Sequence, residues 1–117
     1  MAYVDGMVAA VPTGNKEAFL NHARIAAEIF KECGALEVSE CWGDDVPAGQ
    51  VTSFPMAVKC EPGETVVFSW IVWPSREIRD AGMQKLMQDP RMAEETNPMP
   101  FDGKRMIFGG FERIFEA

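Results

Sequence analysis

The chain has 117 residues, 47% hydrophobic and 25% charged, and eleven Lys and Arg against eighteen Asp and Glu give a net charge of −7. That length predicts one domain over residues 1–117, burying roughly 65% of the surface its unfolded form exposes, and the composition excludes a disordered chain. The acidic balance opposes phosphate backbones and anionic membrane surfaces, and the longest apolar run, about eight residues, falls far short of a bilayer span.

Tyr3 to Val11 alternates two sets of residues, Tyr3, Met7, Ala9 and Val11 against Val4, Gly6, Val8 and Ala10, both apolar and broken by Asp5. A strand apolar on both sides is a central one. Pro12-Thr13-Gly14-Asn15 is turn chemistry, with Asn15, or else Thr13, expected to cap a helix over Lys16 to Cys33. Phe19, Ala23, Ala26, Phe30 and Cys33 form its inward stripe, widened by Ile25 and Ile29, and Gly34 ends it. Leu36 to Trp42 alternates one apolar-rich face (Val38, Glu40, Trp42) with a polar one (Glu37, Ser39, Cys41), the pattern of an edge strand.

Asp44 to Glu64 is punctuated by Pro47, Gly49, Pro55, Pro62 and Gly63. Within it Val51 to Cys60 reads as an extended arm, since Pro55 argues against a central strand, and the segment is too long for an inert hairpin loop. Val66 to Trp73 is the second two-sided strand, with Val66, Phe68, Trp70 and Val72 against Val67, Ile71 and Trp73. Pro74 stops it, and Ser75 caps a helix to Gln88 with Ile78, Gly82, Met83, Leu86 and Met87 inward. Arg105 to Phe115 is the last strand, where Gly109-Gly110 predicts a bulge or a close backbone approach.

Strand, helix, strand, arm, strand, helix, strand is the split βαβ plan: an α+β, ferredoxin-like, four-stranded antiparallel sheet with two helices on one face plus an extended arm. Two helices cover one sheet face only. The other would expose an apolar patch drawn from Phe68, Trp70, Trp42 and Met7, so a homodimer joined through the sheet faces is expected.

The chemistry-bearing residues are few. Asp5 interrupts an apolar strand, and Glu40 shares its face with Val38 and Trp42. A carboxylate in apolar surroundings is either paired, with Arg79, Arg91 and Arg105 available, or has a raised pKa suited to proton transfer. His22, the one histidine, sits at the margin of its helix's buried stripe and is the third candidate for a catalytic role. Trp42, Phe54, Trp70 and Trp73 supply aromatic walls, either core and interface or a pocket for a flat apolar ligand with Arg79 or His22 as polar contact. Glu40, Asp44 and Asp45 could hold a hard cation, but the loop lacks the spacing of a calcium site, so no metal is assigned and no cofactor is called for. Cys33, Cys41 and Cys60 have no metal spacing and fit reduced, mostly buried thiols. Phosphate-cradling glycine loops, Gly-x-Ser-x-Gly and His-Glu-x-x-His are all missing.

Four blocks, Cys41-Trp-Gly-Asp-Asp-Val-Pro47, Val66-Val-Phe-Ser-Trp70, Asp89-Pro-Arg-Met92 and Phe101-Asp-Gly-Lys-Arg-Met106, together give the chain a resemblance to the YbaA-like family of small bacterial proteins. That resemblance covers essentially the whole chain. It implies a place in the dimeric α/β-barrel superfamily, with the ferredoxin-like fold and sheet-to-sheet dimer, and it implies no activity. The reading is a cytoplasmic homodimer, without nucleic-acid or membrane partners, that binds a small apolar or aromatic metabolite between sheet and helices. The alternatives are a cofactor-independent monooxygenase or isomerase, in which Asp5, Glu40 or His22 moves a proton, and a non-catalytic interaction protein.

Overall fold

Strands β1 (Tyr3–Pro12) and β3 (Glu64–Trp73) pair antiparallel along their whole length in the computed structural model, which describes residues 1–117. Strand β2 (Glu37–Trp42) adds to the outer side of β3, and β4 (Ile107–Glu112) to the outer side of β1, so the sheet order is β2-β3-β1-β4, antiparallel throughout. The two strands with two apolar sides occupy the centre and the one-sided β2 an edge, as their patterns require. Gly109 and Gly110 form no bulge: the register runs unbroken through Gly109–Gly6 and Gly110–Asp5. Gly110 is the close approach instead, since a Cβ there would lie 2.6 Å from both the Arg79 guanidinium and the Tyr3 hydroxyl.

Helices α1 (Lys16–Glu32) and α3 (Arg76–Gln88) cover one face of the sheet. From α1, Phe19 packs with Ala9, Val11 and Val67, and Phe30 meets Trp73 edge-on at 6.1 Å. From α3, Gly82 lies flush on the core, because a Cβ there would stand 2.7 Å from Trp73 Cζ3 and 2.8 Å from the Cys33 carbonyl. Ser75 caps α3 by accepting from the Ile78 amide, and Gly34 ends α1 at φ +114°. The inward stripes are narrower than periodicity predicts: Ile25, Ile78 and Met87 are exposed. Nor does Asn15 cap α1. A 3-10 turn over Thr13–Asn15 leads into the helix, which frees Asn15 Nδ2 to donate to the Pro100 carbonyl at 2.9 Å, while Thr13 bonds the Thr65 hydroxyl.

The segment between β2 and β3 is an arm but not an extended one. Ser53 accepts from the Met56 amide and starts a single helical turn, α2 (Phe54–Ala57), with Pro55 in the first turn where its missing N–H removes no bond. Val58, fully buried, then packs on Val8, Ala10 and Val66, which belong to the sheet face opposite the long helices. The arm therefore covers one end of that face and leaves the rest open. Among the cysteines, Cys41 is exposed and Cys33 and Cys60 are half-buried, so the thiols are less enclosed than expected.

Arg105 clasps the base of this arm. Its guanidinium pairs with both Glu64 carboxylate oxygens at 2.8 Å, and donates to the Lys59 carbonyl at 2.8 Å and to Asp102 at 3.1 Å. The Arg105 hydrogen bonds hold the Glu64 carboxyl at about 2, below its ordinary 4.5. A depressed folded-state pKa contributes stability that is present above 4.5 and lost as pH falls through 4.5 towards 2. The Arg105 and Glu64 side chains are 19% and 9% exposed, so solvent screens the pair only in part. In urea titrations, the stability that Arg105→Ala removes near pH 6 is expected to shrink as the pH falls from 4.5 towards about 2.

Candidate functional site

A cavity of about 210 Å3 lies between α1 and the sheet. Its wall is mostly apolar, with Phe19, Ala23, Ala26 and Phe30 from α1, Met7, Ala9, Val67 and Ile71 from the central strands, and Met92, Met99, Phe101 and Met106 from the chain between α3 and β4. Three polar residues complete it: Glu40, Ser69 and His22. Strand alternation explains the first two. Glu40 shares the helix-side face of β2 with Val38 and Trp42, and Ser69 falls between Val67 and Ile71 on that face of β3.

Glu40 is exposed at the β2 edge, and its carboxylate Oε2 accepts a hydrogen bond from the buried Ser69 hydroxyl. No Lys or Arg pairs with it. Removal of the carboxyl from water raises its pKa above the ordinary carboxylate value, and the Ser69 hydrogen bond acts in the opposite direction. Across the cavity wall, His22 on α1 is half-buried, and its Nδ1 lies 3.0 Å from Asn97 Oδ1. Asn97 is itself buried, and its amide nitrogen faces the His22 carbonyl oxygen at 3.5 Å and the Met92 sulfur at 3.9 Å.

The remaining candidates fall into three other places. Asp5 is buried beneath α3, where it accepts from Trp73 Nε1 at 2.9 Å and from Arg79 Nη2 at 2.8 Å; Arg79 in turn stacks on the Tyr3 ring. Trp73 is fully buried. These three form one structural cluster outside the cavity wall. Trp42 packs on Phe19 beneath the Lys16 ammonium and, with Phe54, Asp44 and Asp45, borders a separate surface depression beside the arm. Phe54 also meets Phe68 edge-on at 5.8 Å. Trp70 lies on the open sheet face and donates to the Glu37 carboxylate. Arg91, the other arginine considered as a partner for a carboxylate, pairs with Glu32 and Asp89.

The uncovered part of the sheet forms a second, larger concavity of about 670 Å3, lined by Val4, Val8, Phe68, Trp70, Ile107 and Phe111, with Glu37 and Arg113 at its rim. Phe68 is 43% exposed and Phe111 62%. Of the aromatics expected there, Trp42 is instead on the helix side, packed on Phe19. The chain has no helix long and apolar enough to cross a membrane.

Sequence alone does not point to Ser69 or Asn97. Ser69 is visible only as a polar interruption of an apolar strand, and Asn97 lies in a proline-containing loop 75 residues from the histidine it contacts. A family model described as "Protein of unknown function (DUF1428)" matches residues 2–103. The chain is also 60% identical over 116 residues to the uncharacterized protein YbaA of Escherichia coli, covering 99% of each chain, and to that of Shigella flexneri with the same identity and coverage.

Proposed function

Since the chain belongs to the DUF1428 family, whose description assigns no activity, we propose from its own geometry that it is a homodimeric binding protein for a small, uncharged, single-ring metabolite. The observation that carries this reading is the helix-side cavity of about 210 Å3, apolar except where Glu40, Ser69 and His22 meet it. Its volume exceeds the roughly 150 Å3 that accepts benzene in an apolar protein cavity and falls short of the roughly 300 Å3 at which drug-sized sites begin. A single ring with one or two polar substituents fits between those limits. A carboxylate at the rim and a net charge of −7 disfavour an anionic ligand.

The strand order β2-β3-β1-β4, with both long helices on one face, supports a ferredoxin-like assignment. The open face, with Phe68, Ile107 and Phe111 exposed together, is read as the seat of a second copy, giving the two-sheet arrangement of a dimeric α/β barrel. A second copy brings an identical apolar face, so one patch serves both partners.

The methionines make the binding reading measurable. With the methionine ε-methyls labelled, phenol at millimolar concentration is expected to shift Met7, Met92, Met99 and Met106 saturably while leaving the exposed Met1 and Met87 in place. Uniform shifts, or none, would remove the binding reading. Light scattering should give a dimer for the native chain and a monomer for Phe68→Glu. A native monomer would remove the dimer alone.

A further inference from the structure

The cavity's two titratable residues are set up differently by their neighbours. Both groups near the Asn97 amide nitrogen, the His22 carbonyl oxygen and the Met92 sulfur, are acceptors, so that end of the amide is the NH2 and Oδ1 faces the imidazole. His22 Nδ1 must then carry the ring hydrogen and donate it to Asn97. In the neutral ring that tautomer makes Nε2 the lone-pair nitrogen, and no hydrogen bond within the protein engages it. Glu40 has one carboxylate oxygen engaged by Ser69 and the other free, with no cation to hold its charge. A base and an acid thus share the wall of one small apolar space.

We propose that this cavity interconverts the enol and keto forms of small neutral cyclic carbonyl compounds, with His22 Nε2 and the Glu40 carboxyl as the two catalytic groups. This inference rests on the binding reading above. In the enol-to-keto direction, Nε2 takes the hydroxyl proton and the O–H pair closes the carbonyl π bond. The former C=C π pair takes a proton from the Glu40 carboxyl to form a C–H bond. Substrate and product are isomers, and the imidazolium and carboxylate left behind reset by exchanging one proton through water at the β2 edge, where Glu40 reaches solvent. The reverse direction uses the same groups with their proton states exchanged. No oxidant, reductant or other co-reactant is consumed. Partial withdrawal of the Glu40 carboxyl from water favours the protonated form that the first direction requires.

The test is hydrogen–deuterium exchange at the α-carbons of cyclohexanone, a neutral single-ring ketone, followed by proton NMR in D2O with the methionine methyls monitored in parallel. The native protein is expected to accelerate exchange over buffer by about 100-fold or more, with saturation. Glu40→Gln keeps an oxygen for the Ser69 hydroxyl, so it should fold and still shift the cavity methyls while its exchange falls to the buffer rate. His22→Asn, on a different element, should lose roughly 100-fold and serves if Glu40→Gln fails to fold. Ketone binding without accelerated exchange, or exchange retained in Glu40→Gln, would overturn the proton-transfer assignment and leave the binding reading standing. Unshifted methyls with no exchange would overturn both.

Discussion

Asp5→Ala is expected to lower the unfolding free energy by about 3–5 kcal/mol, the range found when one partner of a buried ion pair is removed. Asp5 is 5% exposed, and its two oxygens receive the Arg79 guanidinium at 2.8 Å and the Trp73 indole N–H at 2.9 Å. Truncation leaves the Trp73 N–H without an acceptor and leaves Arg79 with Asp80 alone. Arg79 can lean further on Asp80, which it already contacts at 2.9 Å and which is half in solvent, so the loss should sit towards the lower end of that range. Asp5→Asn separates charge from hydrogen bonding, since its amide oxygen can still accept from Trp73. Urea unfolding near neutral pH, with an unchanged slope and a lower midpoint, is the measurement. A loss under about 1 kcal/mol would show that the pair contributes little beyond filling space.

Trp73→Ala should cost a similar amount, about 3–5 kcal/mol, for a different reason. The ring is fully buried, edge-on to Phe30, and α3 reaches it only because residue 82 is glycine. Gly82 has no side chain to move into the emptied volume, which leaves Met83 as the α3 residue packed against that cluster. Trp73→Phe keeps most of the packing but leaves Asp5 one donor short, for roughly 1–3 kcal/mol. Because Asp5 and Trp73 share a hydrogen bond, the doubly substituted chain should lose less than the sum of the two single losses. Strict additivity, read from thermal and urea unfolding of all four proteins, would mean that the 2.9 Å contact carries no coupling.

Much of the sheet was legible because strand position is written in how many sides are apolar. β1 and β3 announce themselves as central, and β2, with Glu37, Ser39 and Cys41 on one side, as an edge. The arm was misread in part because α2 spans one turn, too short for a 3.6-residue period to register; only the Ser53 cap and Pro55 mark it. Glu40 was legible from alternation and His22 from its place on the helix margin. What links each to its partner was not: Ser69 and Asn97 act across 29 and 75 residues, and no local pattern encodes such contacts. The tryptophans show a further limit. An apolar ring is equally suited to a core and to the wall of a pocket, so only the fold separates Trp73, sealed against Phe30, from Trp70 on the open face.

The two apolar spaces of this protein lie on opposite sides of one sheet and have largely separate walls. A ring held beneath α1 and a second copy seated on the other face would be divided by the strand backbones. Filling one space then has almost no differential contact with the other, and linkage demands that the coupling between occupancy and association be close to zero in both directions. Diluting the protein would separate the copies without changing ligand affinity, and saturating it would leave the dimer constant untouched. Such a molecule is a pair of independent receptors rather than a cooperative one, with a hyperbolic binding curve at every protein concentration.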